Sequence, residues 1–351
     1  MSSTIGERIK LTLFGESHGP SIGVVIDGLP AGVVLDMQEI HREMQRRAPG
    51  KSKLTTSRNE ADSPVIESGF FNGKTTGMPL CARIVNTNAY SKDYSQLQAV
   101  MRPGHGDYAG YIKYKGCNDY RGGSFSGAIA KQILRQKKIA VGAHIASLAG
   151  IFDTPFNPQG EPAEILHTLG KQTLPLLDEA KRGAMENAIA KAREEKDSVG
   201  GVIECMAINM PIGLGEPFFD SVESRLSQIL FSIPAVKAVG FGDGFGFSGL
   251  RGSQANDAME YKEGCVHCLT NHNGGVTGGI SNGMPLVFSV AIKPTPSISR
   301  PQQTVDVAKK ENAVLTITGR HDPCIVPRAV PVVEAVTAWT LLDLYCVAMW
   351  G

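Results

Sequence analysis

Three histidines stand in glycine-containing turns that lie far apart in the sequence. They are His18 in FGESHG, His105 in RPGHGDY and His321 in GRHDP. Glycine lets the backbone adopt positive φ and approach a ligand closely, and histidine can take or give a proton near neutral pH. A single turn histidine more often hydrogen-bonds its own loop. Three of them, each near an arginine, a serine or an acid, predict turns that meet around one substrate.

Arginine is the second residue type that recurs beside turns. Arg46 and Arg47 precede Pro49-Gly50, with Lys51 and Lys53 close behind. Four further arginines stand next to glycine or proline turns: Arg102, Arg121, Arg251 and Arg320. The guanidinium fork suits phosphate and carboxylate groups, although a single surface arginine usually serves solubility. The repeated pattern predicts a small polyanionic ligand.

Three segments could offer backbone N–H groups and hydroxyls to a phosphate, or could simply be turns. They are RGGS from Arg121, NHNGGVTGG from Asn271 and KPTPS from Lys293. No GxxxxGK[ST] phosphate loop occurs, and the GFGDGFG segment lacks the strand-to-helix context of a dinucleotide fingerprint. The CVHC segment has no partner pair for a zinc site, and Ser17 beside His18 lacks a nucleophile elbow.

Composition fits a soluble globular protein and argues against several other classes. The 351 residues are 42% hydrophobic and 20% charged, and the net charge of +1 favours neither nucleic acid nor a membrane surface. Seven scattered cysteines suggest reduced thiols and a cytoplasmic protein, and no signal peptide is expected. No window of about 18 apolar residues is free of charge. The closest is residues 329–350, which we expect to form a helix in the core or at a subunit contact.

The order of the predicted elements is mixed, without a strict βαβ rhythm. This disfavours a Rossmann sheet or a TIM barrel and favours one integrated α+β domain over residues 1–351. Predicted helices cover 36–47 with Asp36 as N-cap, 128–137, 176–196, a segment capped by Asp220, and 329–350. Predicted strands cover 9–14, 22–26, 80–85, 108–114, 139–148, 200–208, 236–239, 286–292 and 315–318.

Nine motifs, in order along nearly the whole chain, resemble those of the chorismate synthase family. They are FGESHGPSIGVVIDGLP, RRAPG, RPGHGDY, DYRGG, GLGEP, RGSQ, GGISNG, KPTPS and GRHDPC. The resemblance implies a βαβ sandwich with paired antiparallel sheets flanked by helices, usually assembled as a homotetramer. It also implies a carbon–oxygen lyase that eliminates phosphate from 5-enolpyruvylshikimate 3-phosphate, the last common step toward aromatic amino acids. Reduced FMN is required, without net redox change.

The resemblance also assigns roles to positions of this chain. His18 would act on the departing phosphate, His105 on the reduced flavin, and Asp322, supported by Ser17, on deprotonation at C6. Arg46, Arg47, Arg102 and Arg320 would bind substrate anions. Arg47 and Lys53 match positions that hold NADP in members that reduce their own flavin with NADPH. Positions that match FMN contacts are Ser124, Phe125, Ser126, Pro234, Ala235, Gly278, Lys293, Pro294, Thr295, Pro296, Ser297 and Arg320. No metal is implied.

The chain departs from the family pattern after RGGSFS at 121–126. The family continues for roughly ten residues that help to cover the flavin phosphate, whereas GAIAK follows here at once. We expect an omitted loop, seen as a chain break beside Gly127, rather than a true deletion. A phosphatase without flavin and an RNA-binding protein are the alternative functions. The first lacks a clustered acidic metal motif, and the second lacks a basic stripe.

Overall fold

Two five-stranded antiparallel sheets contain most of the long strands.

The structure is a computed structural model that describes residues 3–15, 20–47, 64–85, 100–105, 107–113, 128–262, 264–317 and 321–350. In chain order its strands are β1 (Thr4–Ile5), β2 (Lys10–Gly15), β3 (Ser21–Asp27), β4 (Val65–Ser68), β5 (Phe70–Phe71), β6 (Lys74–Thr75), β7 (Leu80–Val85), β8 (Ala140–Leu148), β9 (Ile151–Phe152), β10 (Gly201–Ile208), β11 (Val236–Phe241), β12 (Met259–Lys262), β13 (Cys265–Cys268), β14 (Val276–Thr277), β15 (Ile280–Ser281), β16 (Leu286–Ile292), β17 (Gln302–Asp306) and β18 (Glu311–Leu315). Its α-helices are α1 (Met37–Arg47), α2 (Asp107–Lys113), α3 (Ala128–Gln136), α4 (Ala163–Leu169), α5 (Arg182–Glu194), α6 (Val222–Leu230), α7 (Gly252–Ala255) and α8 (Val326–Trp350).

The first sheet has the strand order β1-β2-β3-β7-β4, and the second has the order β11-β16-β10-β8-β9. Every neighbouring pair is antiparallel. Strands β8, β10 and β16 are rich in buried residues along their whole length, because both faces of the second sheet are covered. Helix α4 packs on one face and α8 on the other.

A layer of helices lies between the two sheets. Ile26 and Leu80 of the first sheet line one apolar cavity together with Ile40 of α1 and Trp339 and Leu342 of α8. Helix α8 also packs on β8 and β10 of the second sheet, and α1, α3 and α6 pack on α8. The chain is therefore an α+β protein built as a β–α–β sandwich, which confirms the predicted fold class.

Several local predictions are confirmed together with their physical reason. The predicted strand pair is β2 and β3, in register at Leu11 and Ile26. Helix α1 begins after Asp36, whose Oδ1 accepts hydrogen bonds from the backbone N–H groups of Gln38 (2.8 Å) and Glu39 (3.1 Å). A side-chain oxygen at this position satisfies N–H groups that the first helical turn leaves open.

Two helix predictions need correction. Residues 176–196 do not form one helix, because a short 3-10 turn capped by Asp178 precedes α5, which begins at Arg182. Asp220 does not cap α6. The Ser221 hydroxyl does so by accepting a hydrogen bond from the Ser224 N–H at 3.0 Å. Asp178 and Asp220 both have a side chain that can cap a helix. Which residue takes the cap position depends on backbone geometry, which the sequence does not fix.

Two strand predictions are wrong. Residues 108–114 were expected to be extended, but α2 covers Asp107–Lys113. Residues 315–318 were expected to form a strand, but β18 ends at Leu315 and pairs with β17. Lys310, in the turn that joins β17 to β18, has φ +58°. A non-glycine residue with positive φ is uncommon, so the sequence gives little sign of this turn.

The C-terminal helix α8 is a core helix, as predicted. It is long and apolar enough to cross a membrane by composition, but 67% of its most apolar window is buried within the protein. Its Asp343 carboxylate accepts hydrogen bonds from three consecutive backbone N–H groups, those of residues 7, 8 and 9, at 2.8–3.0 Å. Arg225 of α6 donates to the same carboxylate at 2.8 Å. The buried charge is thereby neutralised, and it ties α6 and the segment just before β2 to α8.

Candidate active site

The predicted site residues divide into a described group and a group that lies outside the described residues. The second group comprises Ser17, His18, Lys53, Ser124, Phe125, Ser126 and Arg320. The segment where a chain break was expected, beside Gly127, also lies there. The described group comprises Arg46, Arg47, Arg102, His105, Pro234, Ala235, Gly278, the five residues 293–297 and Asp322.

His105 meets the loop at residues 293–297. Its Nε2 lies 2.6 Å from the Ser297 hydroxyl oxygen. The Lys293 ammonium donates to the Gly104 carbonyl at 2.5 Å. Gly104 has φ +72°, and a Cβ there would lie 2.9 Å from the ring of Pro296, so only glycine permits this close approach. Two segments that are 192 residues apart in sequence are thus held together at the histidine.

His105 is electrically neutral at physiological pH. Burial lowers its pKa to about 4, and the positive charges of Arg102 and Lys293, together with the neighbouring His321, act in the same direction. The Asp107 carboxylate opposes them only in part. A neutral imidazole offers one N–H donor and one acceptor nitrogen, so the group can hold or relay a proton without a fixed charge.

Arg102 is held by a carboxylate that the sequence analysis did not single out. Its Nε and Nη2 donate to Asp107 at 2.7 and 2.9 Å, and its backbone N–H donates to the same side chain at 3.1 Å. Both side chains are buried. This bidentate pair fixes the turn that carries His105 at the start of α2. The predicted role of Arg102 as a ligand for substrate anions stays a prediction.

The 293–297 loop is anchored on its other side by backbone contacts. The Lys293 N–H donates to the Ala235 carbonyl at 2.9 Å, and the Ser198 hydroxyl donates to the Thr295 carbonyl at 2.7 Å. Ala235 has φ +75° and follows Pro234 in a turn closed by a hydrogen bond from Val236 to residue 233, as in a type II turn. The Pro234-Ala235 pair and the KPTPS loop, both predicted to contact FMN, are therefore neighbours.

The loop that carries Asp322 is connected to the same region through its neighbours. The Val199 N–H donates to the Pro323 carbonyl at 2.8 Å, and the neighbouring Ser198 binds the 293–297 loop. His321 is close enough to influence the pKa of His105. Two of the three turns predicted to meet around one substrate, that of His105 and that of His321 and Asp322, are thus connected.

Arg328 joins Asp322 to Arg47. Its Nη1 donates to Asp322 Oδ2 at 2.5 Å, and its Nε donates to the Arg47 carbonyl at 3.1 Å. Arg328 is absent from the predicted site residues, although an arginine near the start of a long apolar helix and six residues after Asp322 is a usable signal.

Arg46 points into the helical layer. Its guanidinium donates to Glu334 at 2.5 and 3.0 Å and to Glu43 at 3.1 and 3.2 Å. Lys131 also binds Glu43 (2.9 Å) and Glu334. These contacts give Arg46 a structural role in this conformation, and its predicted role in binding substrate stays a prediction.

Gly278 lies in a two-residue turn between β14 and β15. Gly278 and Gly279 have φ of +63° and +86°, as a tight type I′ hairpin requires. The hairpin contacts the start of α6, where the Val222 N–H donates to the Gly279 carbonyl at 2.9 Å. A Cβ at Gly278 would meet nothing within 4 Å, so this position is open.

Among the described residues, no group of three or more His, Cys, Asp or Glu side chains is arranged to hold a metal ion. Cys265 and Cys268, which have zinc-like spacing, lie in strand β13 of a two-stranded hairpin.

The family model described as chorismate synthase matches residues 9–346. Chorismate synthases of Dehalococcoides mccartyi, Thermococcus gammatolerans and Methanocella arvoryzae are 45%, 44% and 43% identical. The alignments cover 98%, 96% and 97% of this chain and 96%, 96% and 93% of the relatives. A crystal structure of chorismate synthase superposes with a TM-score of 0.78 at 26% identity, covering 99% of this chain and 94% of the other.

The chain therefore belongs to the chorismate synthase family and is an enzyme of the lyase class. The alignment with the Dehalococcoides relative is 355 positions long, yet it covers only 98% of the 351 residues here. Some positions of that relative thus have no counterpart in this chain. A true deletion and an omitted loop would both give this difference, so the omitted loop expected beside Gly127 stays a prediction.

Proposed function

We propose that the chain converts 5-enolpyruvylshikimate 3-phosphate to chorismate and phosphate by a 1,4-anti elimination that depends on reduced FMN. The observation that carries this proposal is the convergence of a neutral His105, the 293–297 loop and the loop of Asp322. These segments supply a proton-handling imidazole, a cationic loop rich in hydroxyl groups and a carboxylate within one region. Family membership over nearly the whole chain supports the same reaction.

The described residues fit a flavin mononucleotide. The loop presents the Lys293 ammonium and two hydroxyls, and Thr295 Oγ1 is buried without a hydrogen-bond partner within the described part of the chain. Gly278 leaves open space. Lys293, Thr295, Ser297, Ala235 and Gly278 would hold the cofactor, together with 124–126 and Arg320. Reduced FMN would supply electron density that eases the loss of phosphate, while the protein supplies position and electrostatics.

The proton and charge changes of the elimination fall to residues of this chain. Asp322 takes up the proton released from C6, and Ser17 supports this transfer. His18 donates to the departing phosphate. Arg47 and Arg320, with Arg46 and Arg102, balance the phosphate and the two carboxylates of the substrate by charge-assisted hydrogen bonds. Preorganised donors of this kind stabilise the developing charge without reorganisation of solvent.

The remaining parts of the proposal concern the whole protein. Residues 1–351 form one domain, and the enzyme works as a cytoplasmic homotetramer without nucleic-acid or membrane partners. Arg47 and Lys53 would bind NADPH if the enzyme reduces its own flavin. Chorismate formation with oxidised FMN plus NADPH, compared with reduced FMN alone, decides that point.

The test is an anaerobic assay of chorismate formation with reduced FMN. His105→Ala and Asp322→Asn should each lower kcat by about 10²-fold or more, as expected for groups that handle protons. Arg135→Gln on α3, which removes a surface pair with Glu39, is the matched control and should keep kcat. Phosphate release without chorismate would favour a phosphatase, and retention of RNA without turnover would favour the binding protein.

A further inference from the structure

Arg328 connects two parts of the chain that the proposed function assigns to the site. It lies in the first turn of α8, where its backbone N–H donates to the Ile325 carbonyl at 3.1 Å. From there its side chain reaches Asp322 Oδ2 (2.5 Å) and the carbonyl oxygen of Arg47 (3.1 Å). The Arg328 side chain is 24% exposed and that of Asp322 9% exposed, so water screens this contact weakly.

Both contacts depend on the shape of the guanidinium group. Its N–H donors are held in one plane at fixed angles, so Nε and Nη1 can serve two acceptors at once and set the distance between them. Carbonyl groups in the last turn of a helix need donors from outside the helix, and Arg328 supplies one for Arg47 at the end of α1. A lysine has a single ammonium on a flexible stem and cannot reproduce this geometry.

We propose that Arg328 is a positioning residue for the elimination. It fixes the Asp322 carboxylate from one side and, through the Arg47 carbonyl, sets where the end of α1 stands relative to that carboxylate. Arg328 acts on the reaction through these two residues and not by contact with substrate. The inference rests on the proposed function, since it needs Asp322 to take part in the proton transfer.

The first test is removal of the side chain followed by chemical rescue. Arg328→Ala should lower kcat by about 10²-fold, the effect expected when a reacting group is displaced by about 1 Å. Guanidinium chloride at about 50 mM, far below the concentrations that unfold proteins, should then raise kcat at least about tenfold. Sodium chloride at the same concentration should not. Arg135→Gln, which removes a comparable pair with Glu39 at 2.6 Å, should show neither the loss nor the rescue.

The second test asks whether Arg328 acts through Asp322. In an Asp322→Asn background, adding Arg328→Ala should lower kcat by less than about threefold, because residues that act as a unit are strongly non-additive. Two full and independent losses would overturn the proposal, since they would mean that Arg328 does something unrelated to the carboxylate.

The outcomes separate this inference from the function on which it rests. An unsubstituted enzyme that forms no chorismate with reduced FMN refutes the proposed function itself. An active enzyme whose Arg328→Ala variant keeps kcat within about threefold refutes only the positioning role. If Arg328→Ala does not fold, Arg328→Lys decides, because the ammonium can hold Asp322 but not the Arg47 carbonyl as well. That variant should lose about tenfold in kcat at an unchanged melting temperature, and full activity would overturn the proposal.

Discussion

Replacement of Glu334 by glutamine should destabilise the protein more than any surface charge change. The Glu334 side chain on α8 is 1% exposed and lies between two cations, Arg46 of α1 and Lys131 of α3. Its Oε1 also accepts a hydrogen bond from the Ala143 N–H of β8 at 3.1 Å. In Glu334→Gln the two cations would keep only Glu43 as a carboxylate partner, and one amide N–H₂ group would face a donor.

The pKa of Glu334 gives the direction of the pH dependence. Burial alone would raise this pKa, but the charges of Arg46 and Lys131 outweigh it and lower the value from 4.5 to about 2. A folded-state pKa below the unfolded one means that Glu334 stabilises the folded protein above pH 4.5. This stabilisation is lost as the pH falls toward 2. Removal of one member of a buried ion pair typically costs roughly 3–5 kcal/mol, and this sets the size expected for Glu334→Gln.

Urea unfolding at several pH values measures this quantity. At pH 7 Glu334→Gln should lower the free energy of unfolding by about 3 kcal/mol, and the difference from the parent should shrink as the pH falls below about 4.5. Glu67→Gln removes a half-exposed pair with Arg83 at 2.7 Å and is the matched control, with an expected loss of at most about 1 kcal/mol. A loss at Glu334 no larger than that of the control, or one independent of pH, would refute the reasoning.

Three further substitutions test other buried contacts. His144 is fully buried between Asp153 (2.9 Å) and Glu204 (2.8 Å); burial lowers its pKa, but the two carboxylates outweigh burial and the net shift is upward. His144→Gln should lower the free energy of unfolding by about 3 kcal/mol near pH 6. The difference from the parent should narrow as the pH rises through the raised pKa, and a difference that widens in alkali contradicts this. Ala235→Gly should raise the free energy of unfolding by up to about 1 kcal/mol by relieving the positive φ, and a clear loss in urea unfolding would contradict it. Asp343→Asn should cost about 3 kcal/mol in the same assay, because an amide cannot accept from all four donors; a neutral result would show that the donors find other partners.

The elements that local chemistry specifies were predictable from the sequence. Asp36 marked the start of α1 because its carboxylate caps the helix, and short apolar, partly β-branched runs marked β2 and β3. The cap of α6 was misplaced by one residue, since Asp220 and Ser221 can both cap and only the backbone geometry decides. Local patterns therefore identify an element better than its boundary.

The contacts that build the candidate site were not predictable, because they join distant segments. Arg328 and Arg47 are 281 residues apart, and His105 and Ser297 are 192 apart. Periodicity and turn chemistry carry no information about such pairs, so the sequence could mark His105 and Asp322 as reactive but not name the residues that orient them. The Arg102–Asp107 pair is a different case, because its residues are only five apart and Asp107 lies in a motif that was interpreted as a turn.

Helix α8 emerges as the element that sets the spacing of the other parts. Arg328, Glu334 and Asp343 hold, in order along it, the Asp322 loop with the end of α1, the Arg46–Lys131 pair, and the start of β2. At 1.5 Å per residue these anchors are about 9 and 13 Å apart. Two side chains of α8 bind the last turn of α1: Glu334 binds Arg46, and Arg328 binds the Arg47 carbonyl. Loss of the Glu334 anchor should therefore shift the Arg47 carbonyl away from Arg328 and lower kcat even where the protein stays folded, whereas Asp343, at the far end, should affect stability alone.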